Sequence, residues 1–143
     1  MKIDSFKGEY FFLSNFYPTK IKYNGIQYLN NEAAFQAQKC TTMEDRIKFS
    51  YLNPSDAKKL GRRIILRNDW ESVKISIMRE IVFEKFKQNP HLTEKLLDTG
   101  DVYLEEGNNW GDRIWGTVNG VGKNELGKII MEVREELKIN KRC

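Results

Sequence analysis

Histidine is nearly absent from this 143-residue chain, and cysteine is scarce. The one histidine, His91, stands in Gln88-Asn89-Pro90-His91, which reads as a turn before a helix. A Ser/His/Asp relay would need that residue in a site, and nothing in the sequence puts it there. The two cysteines are Cys40 and Cys143. Two thiols make neither a disulfide framework nor a metal-ligand spacing, so no metal site and no cofactor are expected. Cys143 is terminal and expected to be mobile. Cys40 reads as a small buried residue rather than a nucleophile. No apolar run approaches the roughly 18 residues of a membrane-spanning helix. The opening Met1-Lys2-Ile3-Asp4-Ser5-Phe6 has no signal-peptide apolar core. The expectation is a cytoplasmic protein with no membrane partner. There is also no internal repeat, linker or low-complexity segment, which leaves a single domain over 1–143.

What is present is a globular composition. Hydrophobic residues make up 40% and charged residues 31% of the chain. That excludes a disordered chain and allows a real core. The formal charge is +4, to which Lys138-Ile139-Asn140-Lys141-Arg142 contributes much. A small basic excess suits an anionic ligand such as a phosphate, a nucleotide or nucleic acid, although it discriminates weakly among them.

Residues 6–29 read as β-like. Glu9-Tyr10-Phe11-Phe12-Leu13 is an aromatic run, broken by the turn formers of Ser14-Asn15-Phe16-Tyr17-Pro18. Ile21-Lys22-Tyr23 and Ile26-Gln27-Tyr28 alternate around Asn24-Gly25, a strong hairpin turn. From residue 43 onward the pattern is mostly helical. Helices are expected over Met43–Leu52, from Pro54 through Ile64, from Trp70 to about Lys87, and from Pro90 to about Leu97. The third carries a wide stripe of Val73, Ile77, Met78, Ile81, Val82 and Phe86. Val102-Tyr103-Leu104 reads as a strand. A Gly- and Asn-rich loop then leads to a last helix capped by Asn124, with Leu126, Ile129, Ile130, Val133 and Leu137 as its apolar stripe. Early strands, one late strand and helices between them imply an α+β fold dominated by helix, with a small N-terminal hairpin or sheet.

Four stretches carry polar groups in patterns that suit chemistry. The first is Asn30-Asn31-Glu32-Ala33-Ala34-Phe35-Gln36-Ala37-Gln38-Lys39. It starts at a good N-cap and continues in helix formers. At about 100° per residue, Glu32, Gln36 and Lys39 fall within a ~60° arc. One face thus presents an acid, an amide and an amine beside Phe35. Read alone, the same pattern equally describes a solvated helix face with a first-turn Glu favouring the helix dipole. The second is the late loop, with Asp112, Trp115, Gly116, Gly120 and Gly122 ahead of Asn124. Its glycines allow close approach, and the helix start that follows can hold an anion on free N–H groups. An ordinary glycine loop with an Asn cap fits as well, and the phosphate-loop order GxxxxGK[ST] is absent. The third is Ser14-Asn15-Phe16, which suits a ribose or base contact, or is a turn with a core Phe. The fourth joins Arg62 to Trp70 and Lys74. Arg can clamp a phosphate and Trp can stack a base. The alternative is a helix end followed by an amphipathic helix with a core Trp.

Taken in order, these stretches resemble the NADAR family, also called YbiA-like. The resemblance is carried by Phe12-Leu13-Ser14-Asn15-Phe16-Tyr17-Pro18, Glu32-Ala33-Ala34-Phe35-Gln36-Ala37-Gln38-Lys39, Pro54-Ser55-Asp56-Ala57 to Gly61-Arg62, and Asp69-Trp70 with Lys74 and Met78. It continues through Leu97-Asp98-Thr99-Gly100, Asp112 with Trp115-Gly116, and Asn124-Glu125-Leu126-Gly127 with Met131 and Arg134. It covers nearly the whole chain. It departs at Tyr28-Leu29-Asn30-Asn31, where a Pro, Ser or Thr entry to the helix would be expected.

The resemblance implies an α+β N-glycosidase, a hydrolase that cleaves the bond between ribose C1′ and a nitrogen. It implies two substrate classes: ADP-ribose attached to guanine in nucleic acid, and ribosylamino-pyrimidine intermediates of riboflavin biosynthesis. A non-catalytic module binding ADP-ribose or NAD is the third reading. The resemblance also implies an acid and a Schiff-base lysine, matched here by Glu32 and Lys39. Breaking a C1′–N bond develops positive charge on the sugar, which a carboxylate can stabilise. A neutral Lys39 can attack the sugar carbon if burial or a nearby cation lowers its pKa. On a continuous helix, Glu32 and Lys39 lie about 10 Å apart along the axis, with Gln36 between them. Asp112 is expected to assist protonation of the base or to hold a ribose hydroxyl. Ser14, Asn15 and Phe16 are expected to contact ribose or base. Arg62, Lys74 and the loop of Gly116 and Asn124 are expected to hold phosphate, and Trp70 and Trp115 to stack on the ligand or wall the site.

Overall fold

The computed structural model describes residues 1–142, and the expectation made for Cys143 lies outside the described residues. The chain folds into two compact units. Residues 15–88 form one, and residues 1–14 together with the chain from residue 89 onward form the other. Among the described residues, no helix is long and apolar enough to cross a membrane.

The continuous unit starts with a hairpin, β2 (Ile21–Tyr23) and β3 (Ile26–Tyr28), paired antiparallel with Ile21 opposite Tyr28 and Tyr23 opposite Ile26. Asn24 and Gly25 take φ of +49° and +83°, the left-handed pair that a two-residue hairpin turn demands. The pattern alternates as the sequence suggests: Ile21, Tyr23, Ile26 and Tyr28 are buried, and Lys22 and Gln27 are exposed. Helix α1 (Asn31–Ala37) follows directly. Its N-cap is Asn30, whose side chain accepts from the Ala33 N–H at 2.7 Å. Helices α2 (Met43–Ile47), α3 (Pro54–Gly61) and α4 (Trp70–Gln88) complete the unit. Thr42 and Asn53 cap α2 and α3 in the same way. Helix α1 packs against both α3 and α4.

Two expected helices are shorter in the structure. Helix α2 stops at Ile47 because the chain tightens into successive i→i−3 turns that bury Phe49, while Asn30 Nδ2 anchors the Leu52 carbonyl at 3.1 Å. Helix α3 ends at Gly61 rather than at Ile64, and the Arg63 N–H closes a turn on Leu60. On α4, Met78, Ile81, Val82 and Phe86 are buried as expected. Val73 and Ile77 are only half-buried, and Trp70 and Lys85 join the core instead. Lys85 is 1% exposed, with its Nζ 5.6 Å from the Tyr17 ring centroid and 5.2 Å from that of Phe86. Burial pulls its amine down to about 7.

The second unit begins with β1 (Lys2–Ile3), which pairs in parallel with β4 (Tyr103–Leu104). The aromatic run expected as a strand is a 3₁₀ turn over Gly8–Leu13. The reason lies in its burial: neighbouring Phe12 and Leu13 are both buried, which one side of a strand cannot do and a helical turn can. Helix α5 (Pro90–Asp98) ends at Gly100, whose φ is +62°. His91 lies exposed in its first turn. Helix α6 (Glu125–Arg142) buries the expected stripe of Leu126, Ile129, Ile130, Val133 and Leu137.

Candidate active site

Helix α1 is buried almost all round, so its polar residues are held inside the unit rather than on a wet face. Asn31, Gln36 and Gln38 are buried, and Glu32 is half-buried. This overturns the plain solvated-face reading of the segment. Gln36 donates from Nε2 to Glu32 Oε2 at 2.7 Å. Glu32 also donates its backbone N–H to the Asn15 carbonyl at 3.0 Å. Asn15 is buried, contacts Met78 Sδ through Nδ2 at 3.5 Å, and accepts from Asn31 Nδ2 at 3.2 Å. Sequence reasoning assigned nothing to Asn31, and its only signal was a second Asn beside the cap.

Two oxygens in this cluster, Gln36 Oε1 and Asn31 Oδ1, are buried and have no hydrogen-bond partner among the described residues. Each unmade bond costs about 1–3 kcal/mol, so such groups are rare outside places that receive a ligand or water. Gly61 makes room for the first of them. A Cβ there would stand 2.0 Å from Gln36 Oε1, so any side chain on α3 at that position would displace the amide.

Lys39 lies beyond α1, which ends at Ala37. The ideal-helix separation expected between Glu32 and Lys39 therefore does not apply. Gln38, Lys39 and Cys40 each donate a backbone N–H three residues back, with Lys39 closing on Gln36 at 3.2 Å. In such a tight turn, positions i and i+3 eclipse, so Lys39 and Gln36 leave the backbone on the same side. The Lys39 carbonyl accepts from the Arg67 N–H at 3.1 Å, fixing the exit of the turn. Its side chain is half-buried, with Nζ 5.9 Å from the Trp70 ring centroid. Trp70 is 5% exposed and meets Phe35 at 5.0 Å between centroids, so it walls the site instead of offering an open stacking face.

Burial is the main force holding the Lys39 amine below its ordinary pKa. Arg62 and Lys74 push in the same direction, and Glu32 opposes them. Arg62 is exposed at the C-cap of α3, and Lys74 donates to Glu71 at 2.9 Å. Phe16 is half-buried in the same unit. Cys40 is buried, with its thiol pushed up by burial, so it is a packed residue as expected.

The loop of the other unit has a different character. Asp112 Oδ1 accepts from the N–H groups of Ile114 at 3.0 Å and Trp115 at 2.9 Å. Gly116 is required by its own backbone neighbours, since a Cβ there would stand 2.0 Å from the Glu106 carbonyl oxygen. Asn124, at φ +52°, accepts from the Glu106 N–H at 3.0 Å and donates to the Leu104 carbonyl at 2.9 Å. The N–H groups of Lys123, Asn124, Glu125 and Leu126 bond to the carbonyls of Arg113, Gly116, Ile114 and Trp115. Four N–H groups at the start of α6 are thus taken up by loop carbonyls, which leaves fewer donors for the anion expected there. Trp115 and Ser14 are half-buried within this unit, and the Ser14 N–H closes the 3₁₀ turn on Phe11 at 2.9 Å.

Comparison with known proteins adds five findings. A family model described as the NADAR domain matches residues 4–138. The chain is 41% identical over 132 residues to a riboflavin biosynthesis protein of Vibrio vulnificus, covering 88% of this chain but 35% of that protein, about a third of its length. It is 39% identical over 132 residues to an N-glycosidase of Nostoc punctiforme, covering 87% of this chain and 84% of that one. It is also 39% identical over 132 residues to N-glycosidase YbiA of Escherichia coli, covering 90% and 82%. The NMR structure of E. coli YbiA matches with a TM-score of 0.85 at 36% identity, over 99% of this chain and 86% of that one.

Proposed function

The chain belongs to the NADAR family, and from that premise we propose that this N-glycosidase removes ADP-ribose from guanine in nucleic acid, with Lys39 as the attacking amine and Glu32 as its acid–base partner. The observation that carries the reading is the state of Lys39. Burial and two neighbouring cations hold its amine below its ordinary pKa, beside Gln36, which donates to Glu32 and whose Oε1 is buried without a hydrogen-bond partner among the described residues.

The chemistry follows from those groups. The C1′–N bond breaks as the ring oxygen supports positive charge on C1′ and the base departs with the bonding pair. Neutral Lys39 Nζ adds to C1′, Glu32 takes the surplus amine proton and passes it to the ring oxygen as the C1′–O4′ bond breaks to leave a protonated imine, and solvent protonates the departed base. Water then hydrolyses the imine, returning the amine and releasing ADP-ribose as an aldehyde that recloses. Gln36 hydrogen-bonds ribose through Oε1, Asn15 and Phe16 contact sugar or base, and Trp70 excludes water. Arg62 and Lys74 supply positive potential for the pyrophosphate.

A second reading uses the same chemistry on ribosylamino-pyrimidine phosphates. It is favoured by the naming of the Vibrio relative as a riboflavin biosynthesis protein. The two separate on incubation of the purified protein with ADP-ribosylated DNA and with a ribosylamino-pyrimidine phosphate. Release of free ADP-ribose from the DNA alone supports the first reading; cleavage of the pyrimidine substrate alone overturns it in favour of the second.

A further inference from the structure

The loop over residues 107–123 leaves large apolar side chains in solvent although its backbone is tightly organised. Trp110 is 56% exposed, Ile114 47% and Val121 62%. The loop is pre-ordered, because Asn108 Oδ1 accepts from the N–H groups of Trp110 at 3.3 Å and Asp112 at 3.1 Å, while its Nδ2 holds the Asp112 carbonyl at 2.9 Å. A second turn, with Asn119 at φ +52° and Gly120 at +79°, closes Val118 on Val121. The Lys123 N–H bonds to the Arg113 carbonyl at 2.8 Å, so two exposed cations issue from adjoining backbone beside these apolar groups. The acid that immediately precedes Arg113 in sequence, Asp112, is half-buried and accepts from two backbone N–H groups through Oδ1.

An exposed indole on a rigid turn, flanked by arginine and lysine, matches the chemistry that holds single strands: ring stacking on a base, with cations on the phosphates. We propose that this loop is a docking surface for single-stranded nucleic acid, with Trp110 stacking on a base and Arg113 and Lys123 facing phosphates. The proposal rests on the nucleic-acid reading of the substrate and gives that reading a binding surface of its own. Because the loop is already ordered, binding does not require it to be ordered first, which favours affinity.

The test is fluorescence anisotropy with a short labelled, unmodified single-stranded DNA, in parallel with turnover of ADP-ribosylated DNA and of a small N-glycoside. Trp110→Ala should weaken DNA binding about 5- to 100-fold, and Trp110→Phe should keep most of it. Arg113→Ala with Lys123→Ala should flatten the log–log salt dependence by about 1.4. Turnover of the small N-glycoside should be unchanged in every variant. Unchanged DNA affinity and salt slope in these folded variants would overturn the proposal, as would loss of self-association instead of DNA binding in Trp110→Ala. Failure of the protein to cleave any N-glycoside, with Trp110-dependent DNA binding intact, would overturn the functional reading and leave the surface standing.

Discussion

The segment from Asn30 to Lys39 and the loop from Gly107 to Asn124 read alike in sequence, since each sets amides, an acid and an aromatic near a helix start. The structure separates them by what their polar groups do. In the loop, the Asn108, Asp112 and Asn124 side chains hold turns and strands in place, and the N–H groups at the start of α6 are closed by loop carbonyls. In the α1 segment, Gln36 Oε1 and Asn31 Oδ1 are buried without a partner among the described residues, and burial holds the Lys39 amine below its ordinary pKa. Asparagines and glycines in a loop are thus weak evidence for a ligand, because they serve the backbone equally well. A buried polar atom without a partner is stronger evidence, because folding alone gives no reason to keep it.

Substitutions in the two regions should therefore fail differently. The largest effect is expected from Lys39→Ala, which should lower N-glycoside turnover about 10³-fold or more while leaving the thermal midpoint near that of the parent; a variant that unfolds instead would place Lys39 with the structural groups. Asn124→Ala should show the reverse, losing about 3 kcal/mol in urea unfolding, because the Glu106 N–H and Leu104 carbonyl lose their partner and alanine is strained at a positive φ. Gly61→Ala should cost about 1–3 kcal/mol and also reduce kcat, since the new methyl displaces Gln36. If stability falls while kcat holds, Gln36 has no part in turnover.

The smallest effect concerns pH. Folding holds the Lys39 amine below its ordinary 10.5, so it disfavours the charged form. The resulting loss of stability is full below the folded pKa and disappears as pH rises towards 10.5. Lys39→Met should accordingly be slightly more stable than the parent near neutral pH, with the gain fading in strongly alkaline buffer. An equal gain at every pH would point to packing rather than charge.

Local signals carried much of this fold. Asn24-Gly25 marked the hairpin because only a left-handed pair closes it, and Asn30, Asn53 and Pro54 marked helix starts through caps that need no distant partner. Features set by long-range partners were not legible. The aromatic run became a 3₁₀ turn because of where Phe12 and Leu13 are buried, and α1 ended before Lys39 in a turn whose exit Arg67 fixes. The close fit of Gly61 on Gln36 and the clamp of Asn124 on Leu104 join residues far apart in sequence, which no periodicity reveals. Lys85 is a similar case, a lysine on an otherwise apolar stripe whose burial only the packing shows.

Lys85 also sharpens the decisive measurement, because it is a second amine whose pKa burial lowers, here to about 7. The protein turning over an ADP-ribosylated substrate would be treated with borohydride, and the trapped adduct located by peptide mass spectrometry. The account predicts a ribose-derived mass increase on the peptide carrying Lys39, absent from Lys39→Ala. An adduct on Lys85 or any other lysine, or turnover with nothing trapped and Lys39→Ala fully active, would contradict it.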